Sequence, residues 1–443
     1  MNTPIVDFVK GYAESKASRL HMPGHKGKSV IGVEPFDITE IDGADVLYSP
    51  DGIILESENN ATELFKTAHT FYSVEGSSLC IKAMLSLATL GKEPLILAAR
   101  NVHKSFLYGA ALLDLSVEWL YPDENEHICS CVVSEESLNV KLQGMDKLPS
   151  AVYVTSPDYL GNMQDIKGLA EVCHGFGIPL IVDNAHGAYL RFMKDDRHPI
   201  TLGADMCCDS AHKTLPVLTG GAYLHISKNA PKGFCDNARR FLSVFASTSP
   251  SYVTMQSLDL CNKALSGGFA EKLQQAADKV MSLKKQLTDN GWCLLGDEPL
   301  KLTLKCSTNG LCGEKVAKVF RENGIECEFY DRDVVVMMFS ADTENETFDS
   351  VLKVLQSLKR NTTAVIKTTE LPCTITFGNL SIRKALFSEQ ETVSVDSAVG
   401  RICAAPNVSC PPAVPPVMSG EVITKETVEI LKYYDIKEID VVK

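Results

Sequence analysis

The segment ADMCCDSAHKTLPVLTGGAYLHI (204–226) sets one lysine between two short apolar runs. The runs at 204–210 and 221–226 are apolar almost throughout, as is typical of strands buried on both faces of a sheet. Lys213 therefore lies on a turn between buried strands, where partial desolvation favours the neutral, nucleophilic amine of Schiff-base chemistry. The alternative is an ordinary loop lysine exposed to solvent. The Gly220–Gly221 pair that follows makes this alternative less favoured.

The same pattern of short apolar runs extends upstream of this segment. From about Phe71 to Ile226, such runs alternate with helical stretches, including those at 77–90 and 166–176. This alternation predicts an α/β fold with a mainly parallel, doubly wound sheet. The further strand-like runs are PLILAA (94–99), SAVYVTS (150–156) and IPLIVD (178–183).

The rest of the chain predicts additional, smaller domains. After Gly267–Gly268 come a long amphipathic helix and a mixture of strand-like and helical segments, which indicate a smaller α+β unit. The stretch APNVSCPPAVPPVMSGE (405–421) predicts an extended segment, and TKETVEILKYYD (424–435) a final helix. We therefore predict four regions, which are an N-terminal arm (1–65), a large domain (66–268), a small α+β domain (269–361) and a C-terminal domain (362–443).

Composition limits the classes of partner. The 443 residues include 43 Lys+Arg and 56 Asp+Glu, a net charge of -13 with no basic cluster. This balance disfavours nucleic acid and anionic membranes and is compatible with a small cationic substrate. The N-terminus MNTPIVDFVKGYAES lacks a secretion signal, and no stretch approaches the roughly 20 apolar residues of a membrane span.

The 15 cysteines are scattered without a C-x-x-C pair. Cys129/Cys131 and Cys207/Cys208 fall in segments that we interpret as strands, where free thiols act as small hydrophobes. We therefore expect reduced thiols in a cytoplasmic protein and no structural zinc site.

Two motifs upstream of Lys213 carry groups that could bind a phosphorylated aromatic cofactor. Gly76-Ser77-Ser78 opens a predicted helix, and the N–H groups of a helix start bind phosphate. A glycine turn followed by a serine cap is an equally good interpretation of that motif alone. Asp183 ends a strand and could keep a pyridine nitrogen protonated. Asp183 and His186 could instead be metal ligands or a hydrogen-bonded loop pair. Two ligands make a weak metal site, so we predict no metal.

Two further imidazoles belong to the candidate set. His212 directly precedes Lys213, and Ser210 adds a hydroxyl to the same turn. His103 follows the strand-like run 94–99, where an imidazole could stack on a flat cofactor or serve as a buried structural residue.

Taken together, these strings resemble the Orn/Lys/Arg decarboxylase family of fold-type-I pyridoxal-phosphate (PLP) enzymes, in a short form without the N-terminal wing domain. The resemblance extends over nearly the whole chain and rests on an ordered series of strings. These are HMPGHKG (21–27), DITEIDGADVLYSP (37–50), TAHTFYSVEGSS (67–78), RNVHKS (100–105), TSPDYLGN (155–162), VDNAHGAYL (182–190), DSAHKTLPVLTGGAYLHI (209–226) and the segment from Leu380.

The resemblance implies a fold-type-I large domain that binds PLP and decarboxylates a basic amino acid to an amine. It implies that Lys213 bonds covalently to the cofactor, with His212 beside it as a second proton donor. The phosphate would be held by Gly76, Ser77, Ser78 and Ser210. His103 would stack on the ring, Asp183 would pair with the ring nitrogen, and His186 would lie close by.

The resemblance also implies a homodimer or larger homo-oligomer. The run Ser247-Thr248-Ser249-Pro250 resembles a family segment that reaches the phosphate of the neighbouring subunit, which makes Thr248 a cofactor-binding candidate. His186 stands where the larger members carry an aromatic residue, so the surface that faces the substrate is open to question.

Other reactions fit the same motifs. Transamination and C–S lysis share the lysine, the aspartate and the phosphate groups, and Arg321, Arg332 or Arg383 could hold an α-carboxylate as transaminases require. A non-catalytic protein of this fold is a further alternative. For the distal cation of a basic substrate, Asp158 and Glu328 are the candidate partners.

Overall fold

A computed structural model describes residues 1–124, 127–360, 378, 380–406 and 412–443. The predicted extended segment 405–421 therefore lies partly outside the described residues, at 407–411. Contacts between Cα atoms divide the chain into two compact units. The first comprises residues 1–93, 150–153 and 166–271, and the second comprises 94–149, 154–165 and 272–443. The four-region division made above stays a prediction.

A seven-stranded sheet provides the main strands of the fold, and its order is β1-β7-β6-β5-β4-β2-β3. Strands β2 and β3 pair in parallel, as do β5 and β6, which confirms the predicted mainly parallel sheet. Strand β7 is antiparallel to both of its neighbours. The link between β6 and β7 contains only the four-residue helix Ala211–Thr214 and no long crossover helix of the kind that joins parallel strands. The strands are β1 (His69–Ser73), β2 (Leu95–Ala99), β3 (Ser116–Leu120), β4 (Ala151–Thr155), β5 (Leu180–Asp183), β6 (Met206–Asp209) and β7 (Ala222–Ile226).

Helices of the first unit cover its strands and anchor its N-terminus. Helix α1 begins beside Asp259, whose Oδ2 accepts hydrogen bonds from the N–H groups of Ile5 (3.0 Å) and Val6 (3.1 Å). A carboxylate at a helix N-terminus satisfies donors that have no partner within the helix. The helices are α1 (Pro4–Glu14), α2 (Ile53–Phe65), α3 (Gly76–Thr89), α6 (Ile166–Gly175), α7 (Pro199–Leu202), α8 (Ala211–Thr214), α9 (Lys232–Phe245), α10 (Tyr252–Leu265) and α11 (Phe269–Asp289), whose last 18 residues belong to the second unit.

Two smaller sheets in the second unit confirm the predicted α+β domains. One has the order β10-β11-β9-β8 and the other β12-β14-β13, and neighbouring strands in both are antiparallel. Their strands are β8 (Leu294–Leu295), β9 (Lys301–Lys305), β10 (Phe329–Tyr330), β11 (Val334–Met338), β12 (Gln390–Ser394), β13 (Cys403–Ala405) and β14 (Glu438–Val442). The helices of this unit are α4 (Lys104–Leu113), α5 (Glu135–Gln143), α12 (Gly313–Glu322), α13 (Asn345–Ser357), α14 (Ile382–Leu386) and α15 (Lys425–Tyr433).

One prediction about the cysteines is wrong. Cys129 and Cys131 are buried, but they lie in a loop rather than in strands. The loop is held by side chains, since Cys129 N donates to His127 Nδ1 and Asn101 Nδ2 donates to Cys129 O. Cys207 and Cys208 lie in β6 as expected, and the thirteen cysteines in the described ranges are all free thiols.

The helices can also be compared with the thickness of a bilayer. Over the part of the chain that the structure describes, none of them combines the length and the apolar character needed to cross one.

Candidate active site

The Gly76-Ser77-Ser78 motif forms the start of α3, in the first unit. The helix begins at Gly76, with Glu75 at the cap position, so Ser77 lies inside the first turn and the serine-cap alternative does not apply. Ser210 Oγ donates to Ser77 Oγ over 2.8 Å. The hydroxyls of two motifs far apart in sequence thus meet at a helix N-terminus, where N–H groups and the helix dipole favour an anion.

Close backbone packing fixes this helix start. The Gly76 N–H donates to Gly220 O over 2.8 Å, and the φ of Gly76 is +69°. At Gly220, φ is +95° and a Cβ atom would lie 2.9 Å from Val74 O. A side chain at Gly220 would therefore separate the Lys213 loop, the link 210–221 between β6 and β7, from the start of α3.

Asp183 ends β5 at the carboxyl edge of the sheet and is almost fully buried. Its Oδ2 accepts from Tyr153 OH at 3.2 Å. Its Oδ1 accepts from Ala185 N at 3.1 Å and from Cys208 Sγ at 3.6 Å. Ligands of open α/β sheets bind at this edge, so the position suits a carboxylate that pairs with a cationic ring nitrogen.

Lys213 contacts His186 in the same unit. Lys213 Nζ lies 3.1 Å from Nε2 of the buried His186, and the short helix α8 carries the lysine. The predicted desolvation of Lys213 is not a property of the single chain, because Lys213 is exposed, as are Pro216 and Leu218 in the loop that follows.

His212 is anchored to the backbone of the loop. Its Nδ1 lies 2.9 Å from Gly221 O, and its backbone N–H donates to the same carbonyl. A carbonyl only accepts, so Nδ1 carries the proton and Nε2 is left as the acceptor of the neutral ring. Burial lowers the pKa of His212 and so favours this neutral form.

His103 belongs to the second unit, and its relation to the other candidates stays a prediction. It caps α4, where its Nδ1 accepts from Ser105 N at 3.1 Å, so the neutral ring carries its proton on Nε2. Arg100, which directly follows β2, forms a buried ion pair in which its Nη2 lies 2.8 Å from Glu421 Oε2. Lys104 N donates to Ala413 O at 2.9 Å.

Thr248 is exposed in the loop between α9 and α10. The loop is fixed nearby, because Ser247 N donates to Glu75 Oε1 over 2.6 Å. The contact of Thr248 with the cofactor phosphate of a neighbouring subunit stays a prediction.

A buried polar network that was not predicted from the sequence lies next to the candidate site. Asp209, fully buried at the end of β6, accepts from His198 Nε2 (3.1 Å), His225 Nε2 (3.0 Å) and Asn184 Nδ2 (2.6 Å). Burial alone would raise the pKa of Asp209, but the two imidazoles hold this pKa far below its usual value. His198, Cys207 and Asp209 also offer potential metal-ligand atoms within 4.8 Å of one another. We assign this cluster to hydrogen bonding because the carboxylate already binds both imidazoles.

We predict that Asp209→Asn lowers the free energy of unfolding at pH 7 by about 1–3 kcal/mol, because the buried carboxylate that accepts hydrogen bonds from both imidazoles is lost. The pKa of Asp209 is depressed in the folded state, so its contribution to stability is present above the unfolded pKa of about 3.9 and is lost as pH falls further. Urea unfolding of wild type and variant between pH 3 and 8 measures this difference. A difference that persists unchanged at pH 3 would contradict the assignment.

The groups in the first unit fit PLP. The start of α3 with Ser77 and Ser210 offers phosphate donors, Asp183 offers a buried carboxylate, and Lys213 offers a primary amine. Thr214 adds a buried Oγ1 that has no hydrogen-bond partner among the described residues. These groups, on a mainly parallel sheet, define the class of fold-type-I PLP enzymes.

The chain belongs to the Orn/Lys/Arg decarboxylase family. The profile of the family's major domain matches residues 3–306, and that of its C-terminal domain matches residues 367–439. The arginine decarboxylase of Bacillus subtilis is 28% identical over 97% of this chain and 93% of its own length. The arginine decarboxylase of Bacillus anthracis is 26% identical over 97% of this chain and 92% of its own.

Solved structures confirm the fold. The lysine decarboxylase LdcF of Francisella novicida superposes with a TM-score of 0.82 at 17% identity, over 100% of this chain and 81% of that one. The constitutive lysine decarboxylase of E. coli gives a TM-score of 0.79 at 18% identity, over 100% and 82% of the two chains. The family, the fold class, the PLP cofactor and the decarboxylase class predicted from the sequence are thus confirmed.

We predict that Ser77→Ala and Ser210→Ala each weaken PLP binding by about 10- to 100-fold, the value of a hydrogen bond to a charged group. Equilibrium dialysis of the two variants measures the effect. Ser86→Ala is a matched control, because Ser86 lies on the same helix and donates to Lys82 O. Unchanged affinity in both variants would place the phosphate elsewhere.

Proposed function

We propose that this chain decarboxylates arginine to agmatine, a precursor of polyamines, with lysine and ornithine as poorer substrates. The observation that carries the choice of arginine is the near full-length similarity to proteins named arginine decarboxylase. The lysine decarboxylases resemble this chain at the level of the fold, or over 55% of its length.

The residues of the first unit would divide the work of the reaction. When bound, PLP supplies an electron sink for the charge left behind by the departing CO2. Asp183 would keep the ring nitrogen protonated, and Ser77 and Ser210 would bind the phosphate. Lys213 would hold the cofactor and then deliver a proton from Nζ to the substrate Cα. His212, the second candidate donor, would first have to take up a proton on Nε2, because its Nδ1 proton is bonded to Gly221 O.

A basic substrate also requires a carboxylate for its distal cation, and the two candidates differ in their partners. Asp158 is buried, and both of its carboxylate oxygens already accept hydrogen bonds. Its Oδ1 accepts from the N–H groups of Leu160 (2.8 Å) and Asn162 (2.9 Å), and its Oδ2 accepts from Asn162 Nδ2. Asp158 therefore stabilises a turn, which leaves little of its carboxylate for a ligand.

Glu328 is the better candidate for the distal cation. It is half-buried, and its Oε1 accepts from Tyr159 OH at 2.6 Å, which orients the carboxylate. It lines a cavity of about 420 Å³ in the second unit together with Cys327, Met337 and Phe339. A carboxylate fits the planar fork of a guanidinium, so Glu328 suits an arginine side chain.

We predict that Glu328→Gln raises the KM for arginine by about 10-fold or more and changes kcat less, because a lost charge-assisted hydrogen bond weakens binding. Glu322→Gln is the matched control, since Glu322 is an exposed carboxylate at the end of α12 that pairs with Lys318. Steady-state kinetics of both variants measure the effect. Equal KM values in the two variants would exclude Glu328 as the partner of the distal cation.

The three arginines that could have held an α-carboxylate are engaged in other contacts. Arg321 Nε donates to Glu326 Oε1, and Arg383 Nη1 donates to the carbonyls of Ala111 and Leu112. The guanidinium of Arg332 lies 5.1 Å from the ring centre of Tyr433. These contacts favour decarboxylation over transamination, since decarboxylation requires an α-carboxylate that is not fixed by an arginine fork.

We further propose a homodimer with shared sites, located in the cytoplasm. The exposure of Lys213 and of the Thr248 loop in the single chain supports a partner surface at the site, and the free thiols support a reducing compartment. Light scattering of the purified protein tests the dimer.

The test of the proposed function is to incubate the protein and PLP with arginine, lysine and ornithine separately and to identify the amine by mass spectrometry. We expect agmatine from arginine at the highest kcat/KM. A higher value for lysine or ornithine would replace the proposed substrate, and no amine from any of the three would refute the function.

A further inference from the structure

We propose that Tyr153 and Cys208 are positioning residues that hold the Asp183 carboxylate toward the ring nitrogen of the cofactor. This inference rests on the proposed cofactor contact of Asp183. It concerns two side chains that no motif singled out, on the strands at either side of the one that carries the aspartate.

The geometry places Asp183 between two donors. Strand β5 lies between β4 and β6 in the sheet, with Tyr153 on β4 and Cys208 on β6. The phenol oxygen of Tyr153 is 3.2 Å from Asp183 Oδ2, and Cys208 Sγ is 3.6 Å from Asp183 Oδ1. The two oxygens of one carboxylate are thus contacted from opposite sides.

Both donors stay protonated. Burial raises the pKa of the Tyr153 phenol and that of the Cys208 thiol well above their ordinary values, and the charge of Asp183 adds to both shifts. Toward a carboxylate, a neutral phenol and a neutral thiol can therefore act only as donors. Both contacts therefore restrain the carboxylate of Asp183 through donated hydrogen bonds, one on each oxygen.

Packing alone does not account for these side chains. Both positions are fully buried in strands where apolar neighbours such as Val152 and Val182 fill the core. A buried hydroxyl costs free energy unless it is hydrogen-bonded, and the hydroxyl of Tyr153 donates its hydrogen bond to Asp183 Oδ2. With Ala185 N as a third donor, the carboxylate is restrained on both oxygens before any ligand binds.

The inference is tested by comparing the binding of PLP with that of its 1-deaza analogue, in which a CH group replaces the ring nitrogen. Asp183 can pair only with PLP, so wild type should bind PLP more tightly than the analogue. We expect Tyr153→Phe to reduce this preference by about 3- to 10-fold, the value of one hydrogen bond, and to leave the affinity for the analogue unchanged. Fluorescence quenching measures both dissociation constants without turnover.

Two further variants complete the test. Tyr72→Phe is the matched control, since it removes a buried phenol hydroxyl that bonds to Ser57 and Asn262, and we expect it to keep the wild-type preference. Cys208→Ala, with its weaker S–H donor, should reduce the preference less than Tyr153→Phe, and it tests the inference if Tyr153→Phe does not fold.

An equal loss of affinity for both ligands in Tyr153→Phe and Cys208→Ala would show a purely structural role and overturn the inference, as would an unchanged preference in both. A wild type without any preference would overturn the Asp183 contact and this inference with it. Failure of the arginine assay alone would refute the proposed substrate and leave the binding preference in place.

Discussion

Replacement of Lys213 by alanine is expected to abolish the covalent link between protein and cofactor and to lower kcat by at least about a thousandfold. The reason is that one amine would serve twice, first as the attachment point and then as the proton donor. Reduction of the wild-type holoenzyme with borohydride, followed by peptide mapping, should locate a pyridoxyl group on Lys213. In Lys213→Ala the modification should be absent.

Lys228→Ala provides the control for this experiment, because Lys228 is an exposed lysine of the same unit that follows β7. It should keep both the pyridoxyl group and the activity. A pyridoxyl group that persisted in Lys213→Ala, or that mapped to another lysine in wild type, would contradict the assignment of the site.

Replacement of Asp183 by asparagine should have the second largest effect, a loss of about 100-fold or more in kcat/KM. The amide cannot stabilise a protonated ring nitrogen, so the electron sink weakens although the shape of the side chain is nearly kept. Asp183→Glu keeps the charge and should recover part of the activity. Steady-state kinetics with arginine measure kcat/KM for wild type and both variants. A kcat/KM of Asp183→Asn within about threefold of the wild-type value would exclude Asp183 as the partner of the ring nitrogen.

The sheet could be predicted from the sequence because its strands are buried on both faces. Such strands are short and apolar throughout, and the runs at 94–99, 150–156 and 178–183 each became a strand within two residues of the expected bounds. The antiparallel direction of β7 was not foreseen. Direction depends on the connection, and the link between β6 and β7 contains only the four-residue helix α8 instead of a long crossover helix.

The candidate site could be predicted in part. Ser77 and Ser210 are far apart in the sequence but meet because α3 starts where β6 ends, which the topology of a doubly wound sheet favours. The network of His198, His225 and Asp209 could not be foreseen, since His198 lies outside the quoted strings and only tertiary packing joins the two histidines to Asp209. The contact of His103, which belongs to the second unit, with the cofactor stays a prediction.

The exposure of Lys213 in the single chain was not predicted from the local sequence. Small neighbours such as Ala211 indicate a desolvated amine, yet the loop that follows is open on one side. Desolvation would then depend on what covers the loop, and local sequence carries no signal for that.

The most direct test of the account is the fate of the substrate carboxyl group. Purified protein with PLP is given arginine labelled at the carboxyl carbon, and labelled CO2, agmatine and the α-keto acid are measured in the same reaction. The account predicts equal amounts of labelled CO2 and agmatine, with no α-keto acid. Retention of the label in an α-keto acid, with no release of CO2, would contradict it.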